Sequence, residues 1–449
     1  MHLFGSNLLS LVFWKEIISF RTLVIVSPIF LLTVKHWTNL VVLFVFVGSL
    51  FFLFFNKGMK PQETDDEVKM WRWTIALTLV GPVLAVGIGQ FLRQDLYPPN
   101  FDAPLRIALC TPVFLAVSRG WLYREDKQTI TFLWATFSFP ATLIWTFLYK
   151  PSWTTMRLPD DIWGLNRITS YFVDALSFGS LTLLFSLMSF ASITFFWHKL
   201  RPTHCVFILG GIVIGLYLSV MSGSRTGWLV LPFFLFFWVR NFAINQYGIR
   251  NALLISIIMF AIVLLFIPLQ PVLVEKIKLA FSEIANYRWY SVNPDNSVGM
   301  RISFYRMAVF YFLENPLMGW GDLGWMQLMN SPEISQYATE FTKDYAKNGF
   351  HNEVFTSAVR SGIWGLISSI SLLFIPPVLA IKILNKKNNT HAKSTALFLL
   401  FFMLHMIVSG MTTEVTNLAF LSSFVGISIS LFSGEILYSK SRKVIISPS

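Results

Sequence analysis

Asn39-Leu40-Val41-Val42-Leu43-Phe44-Val45-Phe46-Val47-Gly48-Ser49-Leu50-Phe51-Phe52-Leu53-Phe54-Phe55 runs without a single charge, and only Asn39 and Ser49 carry polar side chains. A helix apolar on every face is at home in lipid, where a crossing of the ~30 Å hydrocarbon core takes about 20 such residues. Segments of the same character recur near 17–34, 71–92, 104–120, 129–148, 172–197, 203–221, 228–245, 252–272, 354–382, 395–412 and 416–437. With 39–55 they make twelve, and they predict an all-α, polytopic membrane protein whose two termini share one side. The whole chain agrees: 449 residues are 55% hydrophobic and 13% charged, with 45 Phe and 16 Trp, and the mean hydropathy is +0.61. An ordinary soluble domain is about 25% charged. A disordered chain, a disulfide scaffold and most soluble enzymes are thereby excluded.

The 35 Lys and Arg against 23 Asp and Glu leave a net charge of +12. In a polytopic chain basic residues set topology before they recognise a partner, so this balance does not point to nucleic acid. With a cytoplasmic N-terminus, eighteen Lys and Arg fall on inner loops, helix ends and the tail, among them Lys57, Arg119, Lys199, Arg240, Lys386 and Arg442. Seven, including Arg93, Arg106, Arg167 and Arg225, fall on the short outer loops. That bias predicts both termini inside. Cys110 and Cys205 lie in apolar stretches with no CxxC and no neighbouring His pair, so neither a disulfide nor a metal centre is expected. The apolar run after Lys15 is broken at Arg21 with no small-residue cleavage site behind it, and the first segment is expected to remain as a helix.

One loop breaks the regularity. Residues 273–353 separate an N-terminal set of spans (1–272) from a C-terminal set (354–449) and are expected on the outer face. A loop of this length is usually functional or disordered, and this one has helical patterning. Leu273, Ile277, Ala280, Phe281 and Ile284 repeat at helical spacing; Ser331-Pro332 opens a second helix whose Ile334, Tyr337, Phe341 and Tyr345 share a face until Gly349 stops it.

Arg21, Asp174, Arg360, His405 and Glu435 lie in or near spans but form no carboxylate relay of the sort a proton- or sodium-coupled transporter needs. The outer boundary is richer. Ser222-Gly223-Ser224-Arg225-Thr226-Gly227 joins two spans. An arginine among glycines and hydroxyls either grips phosphate, its planar fork matching the oxygens, or anchors a helix end to lipid headgroups. In the long loop, Gly299-Met300-Arg301-Ile302-Ser303-Phe304-Tyr305-Arg306 puts Arg301 and Tyr305 on one helix face, and Glu314-Asn315-Pro316-Leu317-Met318-Gly319-Trp320-Gly321 ends that helix at Pro316 and turns on its glycines. That helix either covers the outer surface or binds a ligand. Phe350-His351-Asn352-Glu353 follows, then Gly362-Ile363-Trp364-Gly365. Beside arginines His351 is expected neutral, because like charge disfavours imidazolium. It serves either as a general base for a hydroxyl or as a local hydrogen-bonding residue at a helix start.

The ordered set SGSRTG, R-x-x-x-Y-R, ENPLMGWG, HNE and GIWG, spread over about 165–370, resembles the O-antigen ligase superfamily, which includes lipopolysaccharide O-antigen ligases, O-antigen polymerases and protein O-oligosaccharyltransferases. The resemblance implies a GT-C-like membrane fold and inverting glycosyl transfer on the periplasmic side of the bacterial inner membrane. The implied donor is a glycan on undecaprenyl pyrophosphate, with no metal, nucleotide sugar or other cofactor. The implied acceptor is lipid A-core for a ligase or a second lipid-linked glycan for a polymerase. By the same resemblance Arg225, Arg301 and His351 are catalytic, and Arg167, within Leu165-Asn166-Arg167-Ile168, is a further substrate arginine. Arg306, Tyr305, Asn352 and Glu353 are expected to assist in substrate binding, the last two by orienting the imidazole. Many members carry a second histidine where Phe350 stands, a departure that speaks against a two-histidine mechanism. From a different class, a lipid-linked-glycan flippase would use the same arginines without bond formation and would need a charged central cavity.

Overall fold

The computed structural model describes residues 19–55, 65–123, 130–151, 168–196, 202–224, 226–240, 251, 254, 257, 278–279, 281–386, 390–416 and 418–446. Eight helices are long and apolar enough to cross a membrane. They comprise α2 (Trp37–Phe55), α3 (Asp66–Arg93), the nearly continuous pair α4 (Asp102–Ala108) and α5 (Cys110–Ser118), α6 (Ile130–Leu148), α8 (Pro202–Ser222), α13 (Glu353–Leu384), α14 (Thr390–Gly410) and α15 (Ala419–Ile446). Three further helices present shorter apolar stretches: α1 (Phe20–Val26), α7 (Ala175–Phe196, apolar stretch Ala175–Ala191) and α9 (Leu231–Trp238). The count of twelve thus reads, among the described residues, as eight full-length spans and three shorter helices. The expected span 252–272 lies outside them except for helical residues at 254 and 257. Among the described residues, the one departure from all-α is a two-stranded antiparallel patch, Lys150–Pro151 against Ile168–Thr169. The chain is an all-α, multi-pass membrane protein in its coarse architecture.

The helices sort by what they face. α2 keeps Leu40, Leu43, Phe51 and Phe54 exposed, as a lipid-facing helix does. The α15 span is 94% buried and forms the central post. Its small residues permit that position: a Cβ on Gly426 would come 2.8 Å from the Cys110 sulfur, and one on Gly434 would come 2.8 Å from Val117 Cβ. In lipid, close backbone approach through small residues is what drives such packing. Trp134 seals the junction, edge-on to Phe432 at 5.0 Å, and its indole N–H donates to the Ile25 carbonyl at 2.8 Å.

The long loop has a core of its own. Phe304, Met307, Tyr311, Trp325, Ile334 and Phe350 are buried together, with Val359 of α13 in the same cluster. Its main element is α10 (Ser297–Glu314), whose N-cap Asn296 accepts the Gly299 N–H at 2.7 Å. Pro316, with no N–H to donate, follows its C-cap as the sequence predicts. The single helix expected after Ser331 is instead two, α11 (Pro332–Ser335) and α12 (Glu340–Ala346). Thr339 starts the second by accepting the Thr342 N–H at 3.0 Å, and Asp295 accepts both threonine hydroxyls. This tie stops the first helix, so Ile334 and Tyr337 go into the core while Phe341 and Tyr345 stay exposed. The Ser331 side chain makes no cap bond. Of the expected helix from Leu273 to Ile284, only the end is described; there Phe281 and Ile284 are exposed.

The two glycine motifs meet. α13 kinks at Ser361 and Gly362, the latter at φ +60°. Into the kink fits the turn after α10: the Ile363 N–H donates to the Pro316 carbonyl at 2.7 Å, and the Trp320 N–H to the Val359 carbonyl at 2.8 Å. A Cβ on Gly362 would lie 2.5 Å from the Pro316 oxygen. Gly362→Ala is therefore expected to cost about 2 kcal/mol or more, from left-handed strain plus displacement of that turn. Thermal unfolding of the purified protein, with proteolysis of 315–330 as the local readout, checks it.

Candidate functional site

Four stretches far apart in sequence converge at one end of the bundle. α10 sets Arg301 and Tyr305 one turn apart, and the Tyr305 hydroxyl donates to the Met411 carbonyl at 2.5 Å. Its ring packs on Phe355 at 5.1 Å between centroids. This ties the long loop to both the α14–α15 connection and the start of α13.

His351 stands just before α13 with φ +50°, a left-handed conformation uncommon outside glycine and a known mark of functional constraint. Glu414, from the α14–α15 connection, holds it there. One Glu414 oxygen accepts the His351 backbone N–H at 3.1 Å and the Thr356 hydroxyl at 2.9 Å. Preceding Gly349 lies at φ +123°, where a Cβ would sit 2.1 Å from the same oxygen. The imidazole stacks on Phe304 (5.5 Å, 25°) and Tyr345 (5.3 Å, 18°). The Thr412 backbone hydrogen-bonds the ring. An imidazole that donates one N–H to a carbonyl presents its other nitrogen as an acceptor.

Burial pushes the His351 pKa below its ordinary value, and the Arg301 charge adds to the shift; Asp174 and the Thr412 backbone oppose it. The shift runs in the direction expected from nearby arginines, with desolvation the larger cause. Burial also lowers the Arg301 pKa, against the influence of Tyr305, Glu283 and Tyr345. Burial raises the Glu414 carboxyl, opposed chiefly by Arg360. A guanidinium pulled out of water beside a neutral base is an arrangement that receives an anion.

Arg225 and Arg167 lie outside the described residues. The described neighbours of Arg225 are at the same end of the bundle: the Ser224 hydroxyl donates to the Leu176 carbonyl at 2.9 Å, beside Asp174, whose side chain caps α7 and whose charge acts on His351.

Three expected contributors have other employment. The Arg306 guanidinium lies 3.7 Å over the Tyr337 ring and 5.4 Å from that of Trp289, and donates to the Tyr287 hydroxyl at 3.3 Å, so it braces the loop. Asn352 does not orient the imidazole; its side chain accepts the Val354 and Phe355 N–H groups and caps α13. Glu353 turns away as well, buried and bonded to Thr416 and Ser357. Capping claims Asn352, and the tie to Thr416 claims Glu353, which outcompetes an exposed role beside His351. Phe350 is fully buried against Tyr311 and Trp325, a core role that excludes a polar side chain.

Sequence reading missed Glu414, Thr412, Phe304 and Tyr345. Glu414 had one visible signal, a lone carboxylate between two apolar spans, but nothing tied it to a residue 63 positions away.

Residues 210–370 match the family model described as O-antigen ligase, which bears out the resemblance read from the motifs. The matched stretch contains Arg225, Arg301 and His351 and leaves out Arg167 and everything before α8. The chain is also 25% identical over 213 residues to an uncharacterized protein of Haemophilus influenzae, a match spanning 47% of this chain and 52% of that one. The chain thus covers about half of that relative's length.

Proposed function

We propose that this protein is an O-antigen ligase-type glycosyltransferase, moving a glycan from undecaprenyl pyrophosphate to a sugar hydroxyl of lipid A-core at the periplasmic side of the inner membrane. The observation that carries this is the placement of His351: it sits in a strained backbone turn with its ring stacked on Phe304, one helical turn from Arg301, and burial first, then the Arg301 charge, lowers its pKa. The family match over the same residues supports it.

In the reaction the acceptor oxygen attacks the anomeric carbon opposite the leaving group. A new C–O bond forms as the bond to pyrophosphate breaks, and the acceptor proton passes to the free nitrogen of His351. The electron pair leaves with the lipid pyrophosphate, whose growing charge Arg301 neutralises, together with Arg225 by resemblance. Stacking on Phe304 and Tyr345 holds the imidazole plane, so little reorganisation accompanies proton transfer.

The test is purified protein in lipid nanodiscs with lipid-linked glycan and lipid A-core. Glycan conjugated to lipid A-core is the expected product. Elongation of the donor with no conjugate would instead make the protein a polymerase. Reorientation of the donor with no bond made would make it an exporter.

A further inference from the structure

His405 lies in α14, little more than one turn before its end at Gly410, and is buried among apolar side chains. An ionisable residue inside a membrane span is costly unless bonded, and by default it marks function. The reaction above gives it no part. Its Nε2 shares a hydrogen bond with the Ser180 hydroxyl of α7 at 2.7 Å, and that hydroxyl meets the Ser409 hydroxyl, one turn on from His405, at 2.8 Å. With Ser177 and Thr412 these groups border a cavity of only about 20 Å³, room for about one water. No substrate fits there, so the cluster acts on its neighbours.

It staples α7 to the last turn of α14, and each side of the staple carries part of the site. On the α14 side the Ser409 carbonyl accepts the Thr412 and Thr413 N–H groups, both at 3.0 Å, and the Thr412 hydroxyl at 3.1 Å. Thr412 is the residue whose backbone bonds the His351 ring. On the α7 side lies the glycine turn 222–227, whose sequence contains Arg225. A Cβ on Gly227 would come 3.3 Å from His405 Cε1 and 3.4 Å from Ser180 Cα. One on Gly179 would come 2.7 Å from Ser224 Cβ, and the Ser224 hydroxyl donates to the Leu176 carbonyl. The described parts of that turn therefore rest on the same stretch of α7 that His405 holds.

We propose that His405 is a positioning residue: through Ser180 and Ser409 it fixes Thr412, and with it the plane and proton of the His351 imidazole, relative to the 222–227 turn. That this serves glycosyl transfer rests on the function proposed above; the hold on His351 does not. Breaking the staple lets the end of α14 shift, and a reacting group misplaced by about 1 Å loses on the order of 10²-fold in rate. The Thr412 contact raises the His351 pKa, so weakening it lowers that pKa further. The other groups facing His351 stay in place: Arg301 from α10, Tyr345 from α12, Asp174 at the start of α7, and Glu414 on its backbone.

The experiment compares wild type, Ser180→Ala and His405→Gln in lipid nanodiscs. Carbethoxylation of the partly exposed His351 by diethyl pyrocarbonate, followed against pH by mass spectrometry of peptides, reads the neutral imidazole without any turnover. Ser180→Ala removes the shared hydroxyl. It is expected to move the midpoint of His351 labelling to lower pH and to cut transfer about tenfold or more, with the KM for donor little changed. Arg301→Gln should move the midpoint the other way, because it removes a like charge. His405→Gln, whose amide can still bond Ser180, should stay near wild type in both readouts. An unchanged labelling midpoint in Ser180→Ala overturns the proposal, whether or not the melting temperature falls. If Ser180→Ala does not fold, Ser409→Ala breaks the same staple and is read in the same way. A wild type that transfers no glycan would sink the function proposed above, while the labelling midpoint still decides the positioning.

Discussion

Replacing His351 by alanine is expected to lower glycan transfer about 10²–10⁴-fold, the usual contribution of a positioned general base. Binding of the lipid-linked donor should be nearly unchanged, because the arginines carry that contact. The wild-type pH profile offers an independent reading. The His351 pKa is shifted below its ordinary value of 6.5, so the base is already neutral at pH 7 and transfer should fall only as pH drops through that lowered value. The stability sign is the same: protonation is easier in the unfolded chain, so stability is whole above the unfolded pKa and declines below it. Unimpaired transfer by His351→Ala would remove the base assignment.

Arg301→Gln is expected to reduce transfer about 10²–10³-fold, as loss of one preorganised charge at a developing oxyanion does. It carries a second signature. Arg301 lowers the His351 pKa through like charge, so its removal should move the acid limb of the pH profile upward. A purely structural arginine would not shift that limb. Arg301→Lys separates charge from shape. Lysine keeps the repulsion and thus the pH limb, but cannot offer two parallel donors to phosphate oxygens, so most of the rate should stay lost. Arg225→Lys is expected to behave alike, nearly as inactive as Arg225→Ala; full turnover by either lysine variant would reduce that arginine to a point charge.

The membrane architecture was legible because hydropathy is a local property. Each apolar stretch declares its solvent regardless of its neighbours, and eleven of the twelve expected spans coincide with an apolar helix. α10 was legible for the same reason: helical spacing and Pro316 act within a few residues. The helix expected after Ser331 was not, because Asp295, more than forty positions away, grips Thr339 and Thr342 and overrides the local pattern.

The site divides along the same line. Residue chemistry picked out Arg301 and His351, since a cation fork and a lone imidazole are unusual beside an apolar span. Chemistry alone assigned Asn352, Glu353 and Arg306 to the imidazole and the substrate, whereas capping, burial and an aromatic cage claimed each of them. The carboxylate that fixes the His351 backbone stands 63 positions further along, with two membrane spans between them. Composition and periodicity are enough to say where a chain sits relative to lipid, because that free energy is summed residue by residue. Which polar groups end up facing one another depends on pairwise distances across the folded bundle, and those exist only once the helices have packed.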